Sequence, residues 1–180
     1  MRHIVFALAM TGCFATITGN GEAETEIRNL TPSDAVRLGG FYDATVVTDG
    51  DLDVVEVTCD SNLLPFIVTE VVDGELLLHT ENGRILQPRA DCTLHVKLSQ
   101  PPTRLSVSGS GSMEALGQLP DLQEARVSGS GELVLADGAG ICGLDADVSG
   151  SGHLDLGELQ GCSVSTRVSG SGSLSASGQV

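Results

Sequence analysis

The sequence predicts an all-β fold whose C-terminal half is a parallel β-helix, a β-solenoid with coils of about 20 residues. An N-terminal region of strands and hairpins is expected to pack onto that stack or to continue it. Three observations predict this. The pentapeptide Val-Ser-Gly-Ser-Gly occurs four times, starting at Val107, Val127, Val148 and Val168, at spacings of 20, 21 and 20 residues. The residues around it alternate between apolar and polar with a period of two. Turn dipeptides containing glycine separate short β-rich runs in the first half.

In chain order, the first element is an export signal at 1–23. Arg2 and His3 form a minimal basic segment, and 4–10 is apolar but too short to span a bilayer. Two processing sites compete. Met10-Thr11-Gly12-Cys13 resembles a lipobox that would leave Cys13 as a lipidated N-terminus, and Gly21-Glu22-Ala23 is a small-x-small junction for ordinary release. Either route places the protein outside the cytoplasm, in the periplasm, at the outer membrane or on the cell surface, with the membrane touched only through a lipid anchor.

A single domain is expected over 27–180, divided into an N-terminal β region at 27–103 and repeat coils at 104–180. The candidate strands of the first part are 43–48, 52–59, 65–72, 75–80 and 92–99. Asp49-Gly50, Asp73-Gly74 and Asn82-Gly83 mark turns between them, the middle one a hairpin. Pro101-Pro102 ends this part.

Within a coil, counting by twos puts Ala125, Val127, Gly129, Gly131, Leu133 and Leu135 on one face. Arg126, Ser128, Ser130, Glu132 and Val134 take the other. The first set is small or apolar throughout and must face the core. Inward glycine leaves room for a sharp bend or for close approach of another backbone segment. The outward serines would stack in rows. A flexible Gly-Ser linker would not repeat in register with apolar residues at fixed offsets.

There are five cysteines. Cys142 and Cys162 each lie six residues before a pentapeptide, so they hold equivalent places in consecutive coils. Equivalent Cα atoms of stacked strands sit roughly 5 Å apart, within disulfide range, and a Cys142–Cys162 bridge is expected. Cys59 and Cys92 are the remaining pair and are expected to be bridged in an oxidising compartment.

The net charge of −15 excludes a phosphate backbone as partner, so no nucleic acid is expected. Nucleophile-elbow and phosphate-loop spacings are absent. The histidines lie at His3, His79, His95 and His153, with no zinc spacing among them. A calcium ladder would need a carboxylate after each pentapeptide, but those positions hold Ser112, Glu132, His153 and Ser173. Asp145, Asp147 and Asp155 read as solvated surface. No catalytic residue, metal or cofactor is therefore expected. Outside the leader the only aromatic side chains are Phe41, Tyr42 and Phe66, the candidate ligand contacts.

The chain also resembles a bacterial family, the putative autotransporter adhesin head, or head GIN, domain. The resemblance covers roughly 28–176. It is carried by Gly40-Phe41-Tyr42-Asp43, by Asn62-Leu63-Leu64, by the Val-Val-Asp-Gly-Glu-Leu segment at 71–76 and, most specifically, by the recurrent pentapeptide. It implies a parallel β-helix exported by bacteria, often as a lipoprotein. It also implies a non-enzymatic adhesin or scaffold that meets a protein or glycan at the cell envelope. A periplasmic glycan- or peptide-binding module is the alternative, and a polysaccharide-active enzyme a more remote one. The chain ends soon after the fourth pentapeptide, so self-association through an open C-terminal coil is a further expectation.

Overall fold

The structure is a computed structural model that describes residues 15–48, 52–136, 141, 143–160 and 163–179. Its first nine strands are β1 (Ala15–Thr18), β2 (Ala23–Asn29), β3 (Ala35–Gly40), β4 (Asp43–Thr48), β5 (Val54–Asp60), β6 (Ile67–Val72), β7 (Glu75–Thr80), β8 (Arg84–Gln87) and β9 (Thr93–Leu98). The repeats supply β10 (Arg104–Gly109), β11 (Ser112–Leu116), β12 (Glu124–Gly129), β13 (Glu132–Leu135), β14 (Leu144–Gly150), β15 (His153–Gln160), β16 (Val164–Gly170) and β17 (Ser173–Gln179). The one helical element among the described residues is a 3-10 turn at Leu64–Phe66.

The all-β expectation holds, but the parallel β-helix does not form. The strands make two large mixed open sheets that share one core, plus a small parallel pair of β1 with β8, with no closed solenoid. One sheet has seven strands in the order β16-β14-β12-β10-β3-β7-β6, and the other eight in the order β17-β15-β13-β11-β4-β9-β5-β2. The physical reason lies in the repeat length. About 20 residues supply one strand for each sheet plus a connection. In the first repeat that connection, 117–123, contains no strand and instead tucks Leu119 and Leu122 into the core. No third strand is left to close a coil. In the N-terminal half a tight hairpin adds the antiparallel pair β6 with β7, and more distant segments add β2 with β5 and β5 with β9. Asp73-Gly74 makes the first of these, both residues at positive φ (51° and 82°) as such a turn requires. The Asp49-Gly50 turn lies outside the described residues.

The repeats themselves pair in parallel and in register. Val107 faces Val127, which faces Val148, which faces Val168. Met113, Leu133, Leu154 and Leu174 run in the same way through the other sheet. Burial follows the period of two: Ala125, Val127, Leu133 and Leu135 are fully buried, and Arg126, Ser128 and Ser130 are exposed. The serines point outward as expected, but no hydrogen bond joins the hydroxyls of successive pentapeptides among the described residues.

The pentapeptide is the corner where the chain passes from one sheet to the other. Its first glycine has positive φ (126° in Gly129, 121° in Gly150), a conformation that side chains resist. Its second lies against the backbone of the preceding corner. A Cβ on Gly152 would sit 2.5 Å from the Gly131 carbonyl oxygen, and one on Gly131 2.7 Å from Val107 Cγ1. This closeness lets the hydrogen-bond ladder continue through the bend. Ser130 N–H donates to Gly109 O (2.8 Å), Glu132 N–H to Gly111 O (3.0 Å), Ser151 N–H to Gly129 O (2.8 Å) and His153 N–H to Gly131 O (3.0 Å).

A fifth corner is hidden in the N-terminal half. The β3 strand pairs with β10 so that Leu38 faces Val107 and Gly40 faces Gly109, and Asp43 of β4 faces Ser112. Phe41 and Tyr42 therefore occupy the places of Ser110 and Gly111. The stack begins here, 69 residues before its first recognisable pentapeptide (107 − 38). One change tests the corner. Gly131→Ala should cost about 2–3 kcal/mol, since its Cβ meets fixed backbone. The adjacent outward change Ser130→Ala should stay within about 0.5 kcal/mol of wild type. Urea unfolding midpoints measure both, and equal midpoints for the two variants would refute this account.

Candidate functional site

Four places bring polar or aromatic side chains together. The first is the outer face of the seven-stranded sheet. Its register aligns Arg104, Glu124, Asp145 and Ser165 in one row and Ser106, Arg126, Asp147 and Arg167 in the next. Arg37 lies beside Ser106 on β3. Four of the chain's nine basic residues thus share one face of a strongly acidic protein. Arg37 pairs with Glu75 at 3.0 Å, Arg104 bridges Glu75 at 3.8 Å and Glu124 at 3.2 Å, and Arg126 pairs with Glu124. No ion pair holds Arg167 among the described residues. Arg126, Asp145, Asp147, Ser165 and Arg167 line a shallow open depression. Arg104, Arg126 and Arg167 are all exposed, so no other part of the described chain covers them.

The second is the outer face of the eight-stranded sheet. Here Lys97 Nζ donates to Glu56 Oε1 at 2.6 Å. That hydrogen bond, and then the lysine charge, hold the Glu56 carboxyl below its usual range. Further along, Glu132, His153 and Ser173 share a row. His153 Nδ1 lies 2.8 Å from Ser173 Oγ, and its Nε2 lies 3.4 Å from Ser175 Oγ. An acid, an imidazole and a hydroxyl in line would suggest acyl transfer, but the requirements are not met. The Glu132 carboxylate makes no hydrogen bond to the imidazole. The His153 and Ser173 amides donate to Gly131 O and Gly152 O within the ladder, so neither is free to stabilise an oxyanion.

The third is the aromatic group. Tyr42 is fully buried. Its hydroxyl lies 2.5 Å from Thr80 Oγ1. Burial pushes the phenol above its usual value, and the Thr80 bond offsets part of that. The ring fills the corner position that glycine holds in later coils, so it offers no face to a ligand. Phe41 is half-buried, stacked on Tyr42 with ring centroids 4.5 Å apart. Phe66 is half-buried too, with the Arg84 guanidinium 5.2 Å above its ring. The three do not form one binding platform. The one sequence signal that marks this aromatic as a plug is the six-residue offset of Leu38 and Ala44, the same as that of Val107 and Met113.

The fourth is a buried clamp. Cys59 and Cys92 form a disulfide, and Asp60 beside it is fully buried. One Asp60 oxygen accepts from the Gly21 N–H, the other from the Arg89 and Ala90 N–H groups at 2.9 and 3.0 Å. The two sulfurs and one Asp60 carboxylate oxygen lie within 4.8 Å of one another, but the sulfurs are bonded and the carboxylate is engaged by N–H donors, so this trio is a fastening rather than a metal site. The expected Cys142–Cys162 pair and Cys13 lie outside the described residues.

These features define a class: a two-sheet β protein with flat polar faces, its core filled by its own side chains. Residues 33–180 match the family described as "Putative auto-transporter adhesin, head GIN domain", and the chain belongs to that family. Among solved structures it is similar to one described as a putative adhesin from Parabacteroides merdae. That likeness has a TM-score of 0.55 and 14% identity, and covers 89% of this chain and 98% of that one. Another is described as a putative lipid binding protein from Parabacteroides distasonis, with a TM-score of 0.53, 17% identity, and coverage of 90% and 99%. At these identities the likeness shows the fold alone. No curated protein matches the chain.

Asp60 gives a test of the clamp. Burial alone would raise its carboxyl pKa, but the N–H donors from Ala90, Arg89 and Gly21 outweigh it and hold the group below its ordinary value. A carboxylate with a lowered folded pKa stabilises the fold above its unfolded value, about 3.9, and loses that contribution as pH falls through the folded value. Asp60→Asn should therefore be less stable than wild type at pH 7, with the gap narrowing below about pH 4. Thermal midpoints from pH 7 down to pH 2 would show it, and a gap constant with pH would count against the clamp.

Proposed function

We propose that this chain is a non-enzymatic exported protein of the bacterial envelope or cell surface that works by surface contact, in the adhesin or scaffold class. Its partner is a protein or glycan of the envelope. The observation that carries the reading is the uncovered outer face of the seven-stranded sheet. It presents Arg37, Arg104, Arg126 and Arg167 among carboxylates at the fixed spacing of paired strands. Such a face is rigid before contact, so little ordering cost is added on binding. Its alternating charges favour register and selectivity over raw affinity. Family membership supports the same reading, because adhesins act outside the cytoplasm. Catalysis has no support in the Glu132–His153–Ser173 row, and ligand stacking has none in the buried Tyr42.

The test is saturable binding of the labelled protein to whole bacterial cells and to isolated envelope protein and glycan fractions. Retention by cells is expected, weakened roughly tenfold in the double variant Arg126→Glu, Arg167→Glu. No retention by any fraction, or turnover of a polysaccharide, would overturn the proposal.

Self-association belongs to the same reading. Val168 is 48% exposed, whereas its register equivalents Val107, Val127 and Val148 are buried. Strands β16 and β17 contain no acidic residue in a chain of net charge −15, so a second copy meets least repulsion there. Sedimentation of the wild type should show a dimer that Leu174→Lys dissolves, and a mass that stays monomeric at every concentration would rule it out.

A further inference from the structure

We infer that the mature protein keeps residues 15–22 as part of its folded body, so that any leader is removed at a bond before Ala15. This reading settles between the two processing sites seen in the sequence, and it rests on contacts rather than on leader composition. Strand β1 lies inside the stretch that resembles a leader, yet it pairs in parallel with β8, Ala15 facing Arg84 and Thr18 facing Gln87. The pairing is closed at both ends, by Ala15 N–H to Gly83 O at 3.0 Å and by Gly19 N–H to Gln87 O at 2.8 Å. Among the described residues the only strand partner of β8 is β1. Without it Leu86, now buried, and the half-buried Ile17 packed on the same core have no cover on that side.

The next four residues are fastened more tightly. Gly19 is buried against Asp60, so closely that a Cβ would overlap the carboxylate. Gly21 N–H donates to that carboxylate. Asn20 and Asn62 are interlocked. Asn20 N–H donates to Asn62 Oδ1 at 2.9 Å, Asn62 Nδ2 donates to Thr18 O at 2.9 Å, and Asn20 Nδ2 donates to Ser61 Oγ at 2.9 Å. Ser61 N–H then returns to Glu22 O at 2.8 Å. A cut after Ala23 removes every one of these partners, leaves Asp60 short of a donor beside the disulfide, and strips β8 of its strand partner β1. Buried polar groups left unpaired in this way are costly. A cut before Cys13 touches none of them. It leaves two residues, Cys13 and Phe14, ahead of β1.

The experiment is intact-mass measurement and N-terminal sequencing of the protein exported by a bacterium from the full chain with its own leader. A chain that begins at or before Ala15 is expected. The mass separately reads whether a chain beginning at Cys13 carries a lipid. A chain beginning at Glu24, or anywhere within 16–23, overturns the inference. The full-chain variant Ala23→Arg spoils the small-x-small junction at an exposed position. It should give the same mature N-terminus, and loss of processing would overturn the inference. A second full-chain variant, Asn62→Ala, keeps the inference open to refutation by folding alone. Amide exchange across Ile85, Leu86 and Gln87 should rise by at least roughly tenfold, and unchanged protection would show that 15–22 is not an integral part of the fold.

Discussion

Everything in this fold depends on how closely two backbones can approach at the corner between the sheets. The paired glycines of each pentapeptide place carbonyl oxygens where any Cβ would have to sit. That allows the bend to be made in a few residues while the N–H groups on either side of the second glycine, such as Ser130 and Glu132, find acceptors in the preceding turn. An isolated bend of this kind would leave buried amides unpaired, which is costly. Stacked bends satisfy one another. Between the sheets the core of the repeats is filled by Val, Leu, Ala and Met, and Tyr42 enters it only at the corner where a glycine is replaced.

The same constraint explains what could be read from the sequence. Where the corner is made of glycine, the period and the apolar offsets gave strand positions and register directly, and the buried set followed from alternation. Where the corner is made with Tyr42, the identity was lost although the offsets of Leu38 and Ala44 survived. Residues 35–48 were therefore not recognised as a coil of the stack. Tyr42 was weighed as a ligand contact because exposed tyrosine stacks on sugars, yet here the ring replaces a missing backbone approach and is sealed inside. The closed β-helix fails for a reason of length: the described connection of the first repeat, 117–123, holds Leu119 and Leu122 in a loop instead of forming a third strand. The Cys59–Cys92 bridge was reached by elimination, but the neighbouring Asp60 was not, since a buried carboxylate serving three amides has no local signature. Strands β1, β2 and β8 were missed because their pairing is with distant segments.

On function, the faces differ in kind although they are built from the same repeat. The eight-stranded face carries isolated contacts such as Lys97 with Glu56 and His153 with Ser173, each explained by its immediate neighbours. The seven-stranded face carries a connected series, in which Glu75 and Glu124 each hold two arginines. Such sharing fixes side chains that would otherwise sample many rotamers. A pattern held in place by its own ion pairs is better suited to recognising a complementary surface than to capturing a small molecule, which calls for concavity.

The hidden first corner also bears on how the chain assembles itself. Strand β10 does not grow from its predecessor in sequence but docks beside β3, some 70 residues earlier. Synthesis delivers the N-terminal segment first, so β3 and β4 exist as a preformed edge before any pentapeptide emerges. Each later repeat then adds by closing a loop of only about 20 residues, a modest entropic step. The costly long-range closures, β1 on β8, β4 on β9 and β10 on β3, all involve the N-terminal part of the chain that is stapled by a disulfide, and the later repeats propagate from it. Repeats of this kind can be gained or lost in evolution without rebuilding the seed from which they grow.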